Sequence, residues 1–154
     1  MTPHRLTEAD QQTLDALSDL CLRSKAHWGY DVDFIEACRE VLRVKPEHLS
    51  EPTAVTQVQG HYTGIVRLDL SSGRPAISKL FVCPDHMGQG IGTALINWAK
   101  AEARAAGIAS VEIESDPQAL PFYARHGAVQ IGDIPSEAIP GRMLPLLKMP
   151  TAVA

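Results

Sequence analysis

The chain predicts a mixed α+β fold, a central mixed and mostly antiparallel sheet flanked by helices. Three observations carry this. Roughly the first 45 residues repeat apolar side chains at helical spacing. Residues 53–83 change to β-branched runs broken by turns. The remainder alternates helix and strand, so that a parallel pair can form across a β-α-β unit. The predicted order is α-α-β-β-β-α-β-α-β-β, with room for a short N-terminal strand. One domain spanning residues 1–154 is expected, because chains of about 100–200 residues usually fold as one unit.

Thr7 is placed to cap the first helix, with Glu8 and Asp10 in a first turn where the dipole favours acids. Leu14, Leu17, Leu20 and Cys21 then form its apolar face, and the helix fades near Ser24-Lys25. Asp31 starts a second helix with Phe34, Ile35, Cys38, Val41 and Leu42 on one side. Pro46 and Pro52 bracket a loop. Residues 53–59 and 62–70 read as strands joined at Gly60-His61, and 76–83 as a third, stopped by Pro84.

A helix over 90–106 follows, with Ile91, Leu95, Trp98 and Glu102 in line and Gly107 ending it. Residues 111–115 form a short strand and 117–125 a short helix ended by Gly127. Two strands near 128–132 and 142–148 close the chain. Pro145 predicts an edge position or a bulge for the last one.

Composition excludes more than it selects. The net charge is -4, from 14 Lys and Arg against 18 Asp and Glu, and no basic run suggests nucleic acid. No stretch reaches the roughly 20 apolar residues of a membrane span, and the N-terminus lacks a signal-peptide core. Cys21, Cys38 and Cys83 fit no zinc or redox spacing, so no metal is expected. Three buried reduced thiols suit a cytoplasmic protein.

Gly88-Gln89-Gly90-Ile91-Gly92-Thr93 lies directly between a strand and a helix. Glycines there let the backbone approach a ligand, and the helix N-terminus offers free N–H groups to a phosphate. No Lys precedes Thr93, which excludes a Walker A loop. Thr93 stands where a dinucleotide fingerprint needs its last Gly, and the strand meander upstream does not suit a Rossmann domain.

The segment from Leu80 to Leu95, LFVCPDHMGQGIGTAL, resembles the acyl-CoA-binding motif of the GCN5-related N-acetyltransferases, Arg/Gln-x-x-Gly-x-Gly/Ala. Residues 116–128, DPQALPFYARHGA, resemble that family's Asn-x-x-Ala-x-x-Phe-Tyr-x-x-x-Gly-Phe segment. Met87 stands in place of the usual Arg or Gln, Asp116 in place of Asn, and Ala128 in place of an aromatic. The resemblance implies acetyl-CoA as cosubstrate. Leu80, Phe81, Val82, Met87, Gly88, Gln89, Gly90, Ile91, Gly92, Thr93, Asp116 and Tyr123 would then lie at the cofactor.

It also implies acetyl transfer to the amine of a small molecule, with Tyr123 as general acid for the departing thiolate. Glu112 and Glu114 share one sheet face, and Glu114 is the candidate base. His27, Trp28, Tyr30 and Arg142 are candidates for the acceptor pocket, and Cys83 is expected to pack rather than react. A homodimer is compatible with the family. A CoA-binding sensor without turnover, and a protein or peptide N-acetyltransferase, are the alternatives.

Overall fold

The computed structural model describes residues 2–152. Seven strands, β1 (His4–Arg5), β2 (Thr53–Val58), β3 (His61–Asp69), β4 (Ala76–Val82), β5 (Ser110–Glu114), β6 (Val129–Pro135) and β7 (Met143–Pro150), form one sheet in the order β1-β2-β3-β4-β5-β7-β6. Only β4 and β5 run parallel. The helices are α1 (Gln11–Ala26), α2 (Val32–Leu42), α3 (Ile91–Ala105) and α4 (Leu120–Arg125). The short N-terminal strand is present as β1.

Both faces of the sheet are covered. Leu14, Leu17, Leu20, Cys38 and Leu42 of the first two helices pack with Val55 and Ile65. On the opposite face Ile91, Leu95, Ile96 and Ala99 of α3 pack with Ala54 and Val66. Adjacent residues of β2 and β3 therefore enter different cores. That is why their sequences alternate imperfectly, since a strand buried on both sides is apolar throughout.

Three local expectations need correction. Asp10, not Thr7, caps α1, accepting the Thr13 N–H at 2.8 Å. Leu6 donates to the Thr53 carbonyl at 2.8 Å, which keeps the preceding chain extended along β2. The β2–β3 turn is Gln59-Gly60 rather than Gly60-His61. Both turn residues have positive φ (51° and 79°), as a two-residue type I′ turn requires, and His61 already pairs with Val58. Finally, β7 is not an edge strand, because it lies between β5 and β6, although its pairing with β6 does carry a bulge at Ile131, opposite Leu146 and Leu147. Pro145 is tolerated just past the last β5 pair, Glu114 with Leu146, where its carbonyl accepts the Ser115 N–H at 2.9 Å.

The feature that positions the site is a split in the sheet. The β4–β5 register contains one pair, Ala76 with Glu112, and Glu112 donates to the Pro75 carbonyl at 2.8 Å. Beyond that point the strands diverge, leaving one edge of β4 unpaired from Ile77 onward. Opposite Leu68, β4 also carries an extra residue at Ser78, a bulge that bends the strand.

Candidate active site

A cavity of about 940 Å³ opens where β4 and β5 part. Its walls are β4, the glycine loop, the end of β5, α4 and the start of β7. Leu80, Phe81 and Val82 line it along the unpaired β4 edge, which presents backbone donors and acceptors to a ligand as a sheet edge does to an added strand.

Pro84–His86 forms a turn after β4 and leads into the glycine loop. Gly88 and Gly90 have φ of 81° and 84°, the left-handed region that glycine adopts without strain. A Cβ at either position would meet nothing within 4 Å, so conformation and not crowding requires glycine there. Gly90 provides no side-chain cap to α3, and the first helical bond runs from Ala94 to the Gly90 carbonyl at 3.0 Å. The N–H groups of Ile91, Gly92 and Thr93 thus point out of the helix end, a site for phosphate oxygens.

Crowding, by contrast, is what requires glycine at position 92. A Cβ there would sit 3.0 Å from the Phe122 ring, so Gly92 sets the close approach of α3 and α4. Met87 lines the cavity and is half-buried; Gln89 lies outside the lining, its Oε1 3.4 Å from His86 Nδ1.

Tyr123 is placed by a capped turn. Asp116 accepts the Gln118 N–H at 2.9 Å, Pro117 opens a 3-10 turn over Pro117–Ala119, and α4 follows directly. The Tyr123 ring is buried and lines the cavity. Burial and the Asp116 charge push its phenol well above the usual tyrosine range, so it stays protonated. Across the cavity, partial burial and then Glu137 raise the Glu114 carboxyl above its ordinary range. Glu112 is instead held by Arg74 at 2.9 Å. Cys83 is buried, with Arg23 donating to its Sγ at 3.4 Å, and burial pushes the Cys21 thiol up to about 12.

At the acceptor end, Trp28 and Arg142 line the cavity. His27 does not; it packs edge-on against Trp28 at 5.3 Å between ring centroids, outside the lining. Tyr30 is also outside the lining; it donates to Asp116 Oδ2 at 2.7 Å and accepts from Arg142 Nη2 at 2.8 Å. Two further cations emerge that the spacing did not single out. Lys25 pairs with Asp116 Oδ2 at 2.8 Å. Lys79, buried on β4, donates to the Val41 carbonyl at 3.0 Å, and burial lowers its pKa. No sequence signal pointed to Lys25, because the burial of Asp116 that calls for a cation is seen only in the fold.

Among the described residues no helix is long and apolar enough to cross a membrane. No group of three His, Cys, Asp or Glu side chains there is placed to hold a metal ion.

Residues 30–138 match a family model described as an acetyltransferase (GNAT) domain. No curated protein matches the chain in sequence. Similar solved structures include a GCN5-related N-acetyltransferase from Rhodopseudomonas palustris, with TM-score 0.75 and 21% identity over 97% of this chain and 95% of that one. The PaiA N-acetyltransferase from Thermoplasma acidophilum, crystallised with coenzyme A, has TM-score 0.73 and 13% identity over 97% and 99%. An aminoglycoside 6'-N-acetyltransferase complexed with coenzyme A has TM-score 0.70 and 16% identity over 100% and 99%. At these identities the likeness is one of fold.

Proposed function

Since the chain belongs to the GNAT family of acetyltransferases, we propose that it transfers the acetyl group of acetyl-CoA to the amine of a small molecule by direct attack. One observation carries this: the unpaired edge of β4 and the free N–H groups at the start of α3 open onto the cavity that Tyr123 and Glu114 also line. A strand edge suits an amide-containing chain, and the helix end suits its phosphates. The cradle needs no side chain at Met87, because its donors are backbone groups.

Acetyl-CoA supplies an activated acyl group as a thioester. The protein must polarise that carbonyl, present a neutral amine and stabilise the departing thiolate. Backbone N–H groups along β4 supply the first. Glu114, with its raised pKa, accepts the ammonium proton directly or through water, while Glu112 is tied to Arg74. Nitrogen–carbon bond formation then accompanies carbon–sulfur cleavage, and the acylated nitrogen gives up its remaining excess proton to water or to the Tyr123 oxygen, which restores the phenol. Tyr123 donates its O–H to the sulfur as negative charge builds there. Its raised pKa keeps that proton in place until the charge develops.

Trp28, Asp116 and Arg142 wall this end of the cavity, and Tyr30, outside the lining, ties Asp116 to Arg142, an arrangement that favours a small molecule over an extended peptide. Three buried, unpaired thiols favour a reducing cytoplasm. The test is thiol release from acetyl-CoA with a panel of small amines and N-terminal peptides. Turnover with small amines supports the proposal, and CoA binding without turnover supports a sensor. Peptides outperforming every small amine would overturn the acceptor class.

A further inference from the structure

The acceptor end of the cavity carries more donors and more positive charge than the protein itself uses. Among the described residues Lys25 makes one hydrogen bond, to Asp116 Oδ2, although an ammonium has three donors. Arg142 makes one, to the Tyr30 hydroxyl, although a guanidinium has five. The Arg142 Nη2 also stands 3.6 Å from Asp116 Oδ2, so both cations share one carboxylate oxygen. Their side chains are only 14% and 19% exposed.

Tyr30 and Phe34, stacked at 4.0 Å, flank both cations: Arg142 lies 4.9 Å from the Phe34 centroid and Lys25 5.3 Å from that of Tyr30. Ring faces attract a cation but do not neutralise it. One positive charge is left without a counter-charge in this cluster. Glu114 and Glu137 form a separate acidic part of the same cavity, close enough for Glu137 to raise the Glu114 pKa.

We propose that the acceptor is an amine that also carries a carboxylate, docked on Lys25 and Arg142, with its amino group facing Glu114. This rests on the N-acetyltransferase function proposed above. A monoanion matches the single surplus charge. The planar fork of Arg142 fits a carboxylate, and Asp116 already satisfies part of the same donor set as one. Glu114 and Glu137 would draw the ammonium end before the proton leaves.

The test compares matched acceptors in the thiol-release assay: amino acids, their decarboxylated amines, and phosphorylated amines of similar length. The expected result is a kcat/KM at least tenfold higher for the carboxylate-bearing amine than for its decarboxylated partner. Arg142→Gln and Lys25→Met should each cut that ratio by roughly tenfold, and Arg142→Lys should restore part of it. Lys25→Met keeps the test valid if Arg142→Gln fails to fold. Equal turnover of acid and decarboxylated amine would overturn this inference while leaving acetyl transfer standing. Preference for the phosphorylated amine would overturn the carboxylate assignment. No turnover with any amine, despite CoA binding, would overturn both proposals.

Discussion

Tyr30 and Arg142, 112 residues apart in the chain, meet at 2.8 Å, and the tyrosine donates its own O–H to Asp116 at 2.7 Å. The contact joins the α1–α2 loop to the start of β7 across the mouth of the split sheet. Asp116 also caps the turn that places Tyr123, so the charge network and the proposed acid share one anchor.

Replacing Asp116 with the family's usual Asn tests that anchor. Burial pushes the Asp116 carboxyl up, but hydrogen bonds from Lys25, Tyr30 and the Gln118 N–H outweigh it and hold it below its ordinary range. Removing the charge leaves Lys25 and Arg142 facing each other without a counter-ion. Asp116→Asn should lose about 2 kcal/mol of stability at pH 7, measured by urea unfolding. A lowered carboxyl pKa stabilises above the unfolded value and is lost as pH falls through the folded one. The gap between wild type and variant should therefore shrink below about pH 4, near the ordinary Asp pKa.

Tyr123→Phe keeps the buried ring and removes the proton. Turnover should fall by about 10²-fold, the low end for general acids, with the acetyl-CoA KM within about twofold. Unchanged kcat would remove Tyr123 as the acid.

For Glu114 the prediction is a pH profile. Burial and Glu137 raise its carboxyl, so the acidic limb of kcat/KM should lie above the ordinary glutamate range. Glu114→Gln should lower the rate and flatten that limb. A limb that persists in the variant would assign the base elsewhere.

The strand, glycine loop and helix of the proposed cofactor segment were legible because their conformation is local. Glycines at 88, 90 and 92 between a strand and a helix state the backbone path by themselves, and Pro117 to Tyr123 does the same for the turn that carries Tyr123. What stayed hidden depends on distant partners. Nothing in the spacing pairs Lys25 with Asp116, 91 positions away, or puts Pro145 in an interior strand. His27, a polar residue in an aromatic loop, packed on its neighbour instead of facing the cavity. Gly64 was likewise silent, a glycine inside a β-branched run whose reason lies on another element.

That reason is helix docking. A Cβ on Gly64 would lie 2.8 Å from Leu95 Cδ1 and Thr56 Oγ1 and 2.9 Å from Ile91 Cγ2. Gly64→Ala should cost about 1–3 kcal/mol by overpacking. Because Ile91 opens α3, displacing it moves the proposed phosphate-binding turn, and CoA affinity measured by calorimetry should fall as well. A destabilised variant with full CoA affinity would separate the core from the cradle.

His48, outside the cavity lining, sets an acid limit on stability. Burial, first, and then the charges of Arg67 and Lys79 lower its pKa from 6.5 to about 4. Its Nδ1 accepts the Lys45 N–H at 3.1 Å, a bond that only the unprotonated nitrogen can make. Between these two values the unfolded chain binds a proton that the folded chain refuses, so stability rises with pH across that window. His48 contributes fully above pH 6.5, and its contribution is lost as pH falls toward 4. His48→Asn offers a side-chain oxygen to the same N–H and does not titrate. Urea midpoints from pH 4 to 7 should slope upward in wild type and rise less steeply in the variant. Parallel slopes would show that His48 does not set the acid limit and leave it a passive capping group.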